Sequence, residues 1–140
     1  MTDIERLIKK LKMIAHPEGG NFSESFRDKN NNVSLIYYIL KKNEWSHWHR
    51  LTKNEILHFY KGDPMTIYIS KDGIDFTSVT LGENDNFHLV VEANNWFAMQ
   101  SKGDYSLIGC TVAPEFHYTE FELAAKDWKP KNFSVNNSKN

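Results

Sequence analysis

The stretch EWSHWHRLTKNEILHFYKG, Glu44 to Gly62, alternates in side-chain character as the two strands of a β-hairpin do, with Thr52 to Asn54 as its turn. Side chains two apart on a strand share a face, so His47, His49 and Leu51 point one way and Trp48 and Arg50 the other. Glu55 opens the second strand, where it returns beside the two imidazoles across the hairpin. His58 falls with Ile56 and Tyr60 on the face away from Glu55, and a structural role is expected for it. Two imidazoles and a carboxylate converging in a closed place suit Zn²⁺, Mn²⁺, Fe²⁺ or Ni²⁺. A histidine with an ordinary pKa near ~6.5, facing a carboxylate, equally suits general-base chemistry.

The same strand grammar extends in both directions. Short segments rich in aromatic and β-branched residues (NFSESFR, SLIYYIL, MTIYIS, FTSVTL, FHLVVE, WFAMQ, YSLIGCTVA) are separated by turn chemistry such as KNNN, KGDP, KDG and SKGD. Such spacing predicts an all-β antiparallel sandwich or barrel. Asp72-Gly73 supplies the positive-φ residues of a hairpin turn. Before the strands, Ile4, Leu7, Ile8 and Leu11 form the stripe of one amphipathic helix over Thr2 to Met13, with Thr2 or Asp3 as its N-cap. HPEGG, His16 to Gly20, ends it; the glycine pair suggests a close backbone approach, to another strand or to a ligand. After Pro114, EFHYTEFELAA reads equally well as an edge strand or a short closing helix. The expected organisation is one domain over residues 1–128, with a polar flexible tail over 129–140.

Bulk properties narrow the partners. Lys and Arg number 17 against 18 Asp and Glu, so no charge surplus recruits nucleic acid or an anionic membrane. No apolar run approaches the roughly 18 to 20 residues of a membrane span. The single Cys110 has no intramolecular partner for a disulfide, and the charged N-terminal stretch lacks the apolar centre of a secretory signal. A reducing, cytoplasmic setting is the expectation. Without a glycine-rich phosphate loop between a strand and a helix, nucleotide hydrolysis has no support.

HWH, five residues, Glu55, six residues and Gly62 together resemble the first motif of the cupin superfamily, in which two histidines and a glutamate line a small β-barrel. The matching second motif is VEANNWFAMQ, with Glu92, Asn94 and Gln100 where that superfamily carries proline, glycine and a fourth ligand histidine. A closer resemblance, from about Ile4 to Ala125, is to a small single-domain cupin family filed as a domain of unknown function. It is carried by HPEGG with Phe22 and Glu24, by HWHR, by the glutamate followed by HFY and GDP, by SLIGCTVAPEF and by FELA. This resemblance implies a single cupin barrel or jelly roll with an N-terminal helix, a homodimer, and a ligand pocket inside the barrel. In that family His49 and Arg50 belong to the pattern, and Trp96 falls where the pocket wall is expected.

The expected pocket is therefore lined by Glu24, His47, His49, Glu55, Trp96 and Gln100, with Arg50 as a further ligand-binding residue. The function expected is small-molecule binding, as an enzyme moving a proton on a sugar-like or carbonyl metabolite, with His49 as base and Glu55 or Glu24 orienting it. Sugar-nucleotide epimerases of related fold pair a histidine base with a tyrosine acid; Tyr37, Tyr38 and Tyr105 are the candidates here. Two alternatives stand beside it. One is a metal-dependent enzyme with His47, His49, Glu55 and Gln100 around the ion, and the other a non-catalytic module that binds or senses a small ligand. His16 is expected to position its turn, Arg27 to solvate an edge, His88 and His117 to be ordinary surface histidines, and Cys110 to be a buried inert thiol.

Overall fold

In the computed structural model, which describes residues 1–135, one helix precedes eleven strands. Helix α1 (Asp3–Lys10) starts on a capping box: the Glu5 amide donates to the Thr2 hydroxyl and the Thr2 amide to the Glu5 carboxylate, at 3.1 and 3.0 Å. Lys12 leaves the helix at φ 56°, so it ends short of the predicted Met13. The strands are β1 (Ile14–Ala15), β2 (Asn21–Arg27), β3 (Ser34–Lys41), β4 (Trp45–Leu51), β5 (Glu55–Gly62), β6 (Met65–Ser70), β7 (Thr77–Leu81), β8 (His88–Val91), β9 (Trp96–Ser101), β10 (Tyr105–Val112) and β11 (Phe121–Leu123).

They form two antiparallel sheets, ordered β1-β2-β3-β10-β5-β8 and β11-β4-β9-β6-β7, as the all-β reading expected. Alternate residues of each strand meet between the sheets: Tyr38 and Leu40, Leu57, Ile108 and Cys110 from one, Met65 and Ile67, Phe97 and Met99 from the other. Outside the six-stranded sheet, Leu7 of α1 and Met13 cover Ile39, Tyr105 and Leu107. The predicted β6–β7 hairpin is present with Gly73 at φ 75°. Its connection is six residues rather than a two-residue turn, because the Asp72 carboxylate caps the amides of Ile74 and Asp75 and so closes a wider loop. The segment that read as either strand or helix is both: a 3₁₀ turn (Tyr118–Glu120) runs into β11, which adds to the edge of β4.

The chain does not leave the fold after Trp128. Pro130 is fully buried, the amides of Lys131 and Asn132 donate to the carbonyls of Gly73 and Ile74 at 3.0 and 2.8 Å, and Phe133 packs edge-on against Trp48, Tyr68 and Phe76. Two isolated apolar residues in a polar stretch set no period, but they fill the outer face of the five-stranded sheet. The remainder of the expected tail, residues 136–140, lies outside the described residues.

Candidate functional site

The hairpin that carries the histidines departs from regular alternation. Against β9, Ser46 pairs with Met99 and His49 with Phe97, so three steps along β4 match two along β9. The extra residue is a β-bulge at His47–Trp48, and it reverses the alternation between the two ends of the strand. Ser46 and His49 therefore both face the interior, while His47 turns out and places Nε2 2.9 Å from the Ala125 carbonyl. This corrects the expectation that His47 and His49 share a face.

Three further expected pocket residues also lie outside it. Phe97 and Met99 take the inward positions of β9, so Trp96 and Gln100 fall on its outer side with Ala98. Arg50 lies 4.3 Å over the Trp96 ring and pairs with Glu122 at 2.9 Å, an exterior cation–π and ion-pair arrangement. A metal shell of His47, His49, Glu55 and Gln100 therefore does not fit: two of its four donors point away from the other two. Among the described residues no group of three or more His, Cys, Asp or Glu side chains is arranged to hold a metal ion.

His49, Glu55 and Glu24 do border one cavity of about 190 Å³ between the sheets. At this size the cavity admits a small metabolite and not a nucleotide, since drug-sized ligands take about 300 Å³ or more. Its walls are mostly apolar, with Phe22, Phe116, Tyr118 and Phe121 among them. Glu24 stands at the rim, paired with Arg27 at 2.8 and 3.1 Å. Of the three tyrosine candidates only Tyr38 borders the cavity, and its hydroxyl donates to the Gly19 carbonyl at 2.5 Å. Tyr105 instead donates to Asp3, and Tyr37 packs on the outer face.

A further buried group at the cavity is Glu18, from HPEGG. The two glycines after it adopt φ 113° and 74°, and a Cβ on Gly19 would collide with the Trp45 carbonyl, so only this dipeptide lets the loop lie against β4. The loop is fixed there by the His47 amide donating to the Glu18 carbonyl at 2.7 Å. This seats the Glu18 carboxyl between two imidazoles, with Oε1 3.4 Å from His16 Nδ1 and 3.4 Å from His49 Nε2, while the Ser46 hydroxyl donates to Oε2.

The hydrogen bonds around these rings locate the protons. His49 Nδ1 lies 2.7 Å from the His47 carbonyl and must carry hydrogen to bond it, which leaves Nε2 as a lone pair. The Glu18 amide donates to His16 Nδ1 at 3.1 Å, so that nitrogen is a lone pair too. The His16 lone pair is taken by that amide, so of the two nitrogens 3.4 Å from Glu18 Oε1 it is His49 Nε2 that is open to accept a proton. Burial pushes Glu18 up, His16 down and His49 down to about 4, in each case against the charged form. Glu55, buried beside the Cys110 thiol, is pushed up to about 8, by burial first and by Glu18 second. Burial also holds Cys110 well above its usual range, as expected of an inert thiol. At neutral pH Glu55 therefore holds a transferable proton at the cavity.

Sequence reasoning placed His49, Glu55 and Glu24 at the cavity and left out Glu18, His16, Ser46 and the rim histidine His117. The signal for the first two was present in the glycine pair, which announced a close approach without saying which side chain it delivered. Ser46 becomes inward-facing only through the bulge.

A family model described as Cupin superfamily (DUF985) matches residues 5–124. Protein SO0799 from Shewanella oneidensis has a similar structure, with 32% identity, a TM-score of 0.83, and 89% of this chain and 86% of that one covered. A hypothetical protein from Leishmania major is similar at 26% identity and TM-score 0.79, covering 91% and 90%. An oxalate decarboxylase from Bacillus subtilis shares the fold at 12% identity and TM-score 0.66, over 79% of this chain and 29% of that one. A search of curated proteins finds no match.

Proposed function

The chain belongs to the cupin superfamily, in the family described as DUF985, and on that premise we propose that its cavity binds a small uncharged metabolite and moves a proton on it. One observation carries this reading: the Glu18 carboxyl lies 3.4 Å from both His16 Nδ1 and His49 Nε2 in a cavity that Glu55 also lines. His49 Nε2, whose lone pair is left open by the Nδ1 bond to the His47 carbonyl, takes a proton from a carbon beside a carbonyl. Glu55, protonated at neutral pH, donates to that carbonyl as negative charge develops on its oxygen. Return of the proton to the same or the neighbouring carbon completes an isomerisation or epimerisation that balances without a co-reactant.

The mostly apolar walls and the two carboxyls of Glu18 and Glu55 select the ligand, because an anion would be repelled by carboxylate and poorly solvated there. Hydroxy aldehydes and ketones have the right size and polarity. The test is to incubate the protein in D₂O with glyceraldehyde, erythrose, threose and dihydroxyacetone and to follow carbon-bound hydrogen exchange by proton NMR. Wild type is expected to accelerate exchange in at least one, and His49→Gln to reduce it roughly 100-fold or more with an unchanged circular dichroism spectrum. Equal exchange by both proteins would sink the reading, and a thermal shift with a panel compound but no exchange would leave a binding module in its place. We further propose that the chain acts as a homodimer; the uncovered part of the six-stranded sheet's outer face supports this.

A further inference from the structure

His117 and Glu115 form a second imidazole–carboxyl pair on the loop that closes the cavity. His117 borders the cavity at its opening, with its side chain 50% exposed, whereas the His49 side chain is 3% exposed at the floor. The Nε2 of His117 lies 2.5 Å from Glu115 Oε1 and donates to it, so Nδ1 carries the free lone pair. Glu115 is itself buried, 4% exposed, and its second oxygen has no hydrogen-bond partner.

A structural purpose accounts poorly for that carboxyl. The loop is anchored without it, by Lys53 Nζ donating to the Glu115 carbonyl at 2.9 Å, by the Lys53–Glu120 pair at 2.6 Å, and by the Phe116 amide donating to Ser34 at 2.8 Å. Burying a carboxyl with an unsatisfied oxygen costs stability and is rare. A group that must balance an imidazolium when His117 takes up a proton repays that cost, since the carboxyl already fixes the ring and its tautomer.

We propose that His117, oriented by Glu115, is a second proton-transfer residue at the mouth, so that a ligand in the cavity is met by a base at each end. This rests on the reading of the floor as an acid–base centre. With His117 first protonated at Nδ1 from water, His49 takes the proton from carbon and the Glu55 carboxyl gives its proton to the carbonyl oxygen as the C–H electrons pass into the carbonyl, which yields the enol. The His117 imidazolium then gives a proton to the opposite face of that carbon as the enol O–H proton returns to Glu55, and the two histidines are reset by exchange with water. The outcome is inversion at that carbon.

The experiment uses D- and L-glyceraldehyde separately in D₂O, with wild type, His117→Gln and Glu115→Gln, reading exchange by NMR and inversion by chiral chromatography. Wild type should exchange both enantiomers and invert them. His117→Gln should retain exchange of one enantiomer, at a reduced rate, while inversion falls at least 100-fold, and that retained exchange shows that the protein is folded. Glu115→Gln should keep the hydrogen bond and lower inversion while sparing the exchange that depends on His49, because the imidazolium loses its counter-charge. Inversion by His117→Gln at the wild-type rate, or equal loss of both exchanges, would overturn the second base and leave the floor intact. No exchange by wild type would overturn the floor reading, and the second base with it.

Discussion

Glu18 is where the placement of a single proton becomes measurable. If it is a neutral acid bonded to an imidazole lone pair, glutamine should replace it well, because the amide donates to a lone pair and still accepts from Ser46. Glu18→Gln is then expected to change unfolding free energy by less than about 1 kcal/mol while abolishing exchange. An ionised Glu18 against an imidazolium would instead lose about 3 to 5 kcal/mol on that substitution, so urea unfolding separates the two states. Glu55 gives the pH dependence. The fold keeps its proton up to about pH 8 and the unfolded chain releases it near 4.5, so this stability is complete at low pH and lost as pH rises through 8. His49 acts oppositely, its contribution being complete above pH 6.5 and lost as pH falls towards 4. Above 6.5 the Glu55 contribution should fall by about 1.5 kcal/mol from pH 6.5 to 8. Glu55→Gln should flatten that slope. Residues whose role follows from strand parity, such as Glu55 and His58, were legible in the sequence; Glu18 sits in a loop, where no period says which way a side chain points.

At the level of elements, strand existence follows from the alternation of apolar residues, but strand phase depends on bulges that alternation does not announce. One extra residue in β4 separates His47 from His49 and brings Ser46 inward. A similar irregularity between Glu24 and Phe26 in β2 leaves Glu24 facing the cavity and Phe26 exposed on the outer face. Composition also misled at the C-terminal segment, where polarity suggested fraying although Pro130 and Phe133 close the outer face of the five-stranded sheet. Phe133→Ala tests that closure. With three aromatic partners lost, the cost should be about 3 kcal/mol, read as a lower urea midpoint at unchanged slope. A frayed segment would give less than about 0.5 kcal/mol. By contrast Asn94, read as standing in for a motif glycine, adopts φ 68°, a conformation that asparagine tolerates better than most residues, so that turn survives its substitution.

For the whole molecule, the outer face of the six-stranded sheet is covered only in part. Helix α1 seals the end around Ile39 and Leu107, and beyond it a row runs across five strands, Phe26, Leu35, Thr111, Ile56 and Val90. The neighbouring row holds Tyr37, Gly109, His58 and His88, and the Tyr60 ring lies over Gly109, where a Cβ would collide with it. Phe26, Tyr60 and Val90 are each about half exposed, Tyr60 on the interior strand β5 and Val90 on the edge strand β8. Such a face is suited to a flat, side-chain-mediated contact. In a two-fold pairing both copies contribute the same face, so one substitution acts twice, and Val90→Asp places two carboxylates in the contact. Sedimentation at micromolar concentration should give twice the chain mass of 16.4 kDa for wild type and the single mass for Val90→Asp. Because Val90 points away from the cavity, the variant should keep the deuterium exchange of the floor. A wild type that sediments as a monomer at about 100 μM, well above the Kd expected of an interface burying roughly 800 Å² per partner, would reject the pairing while leaving the acid–base centre untouched.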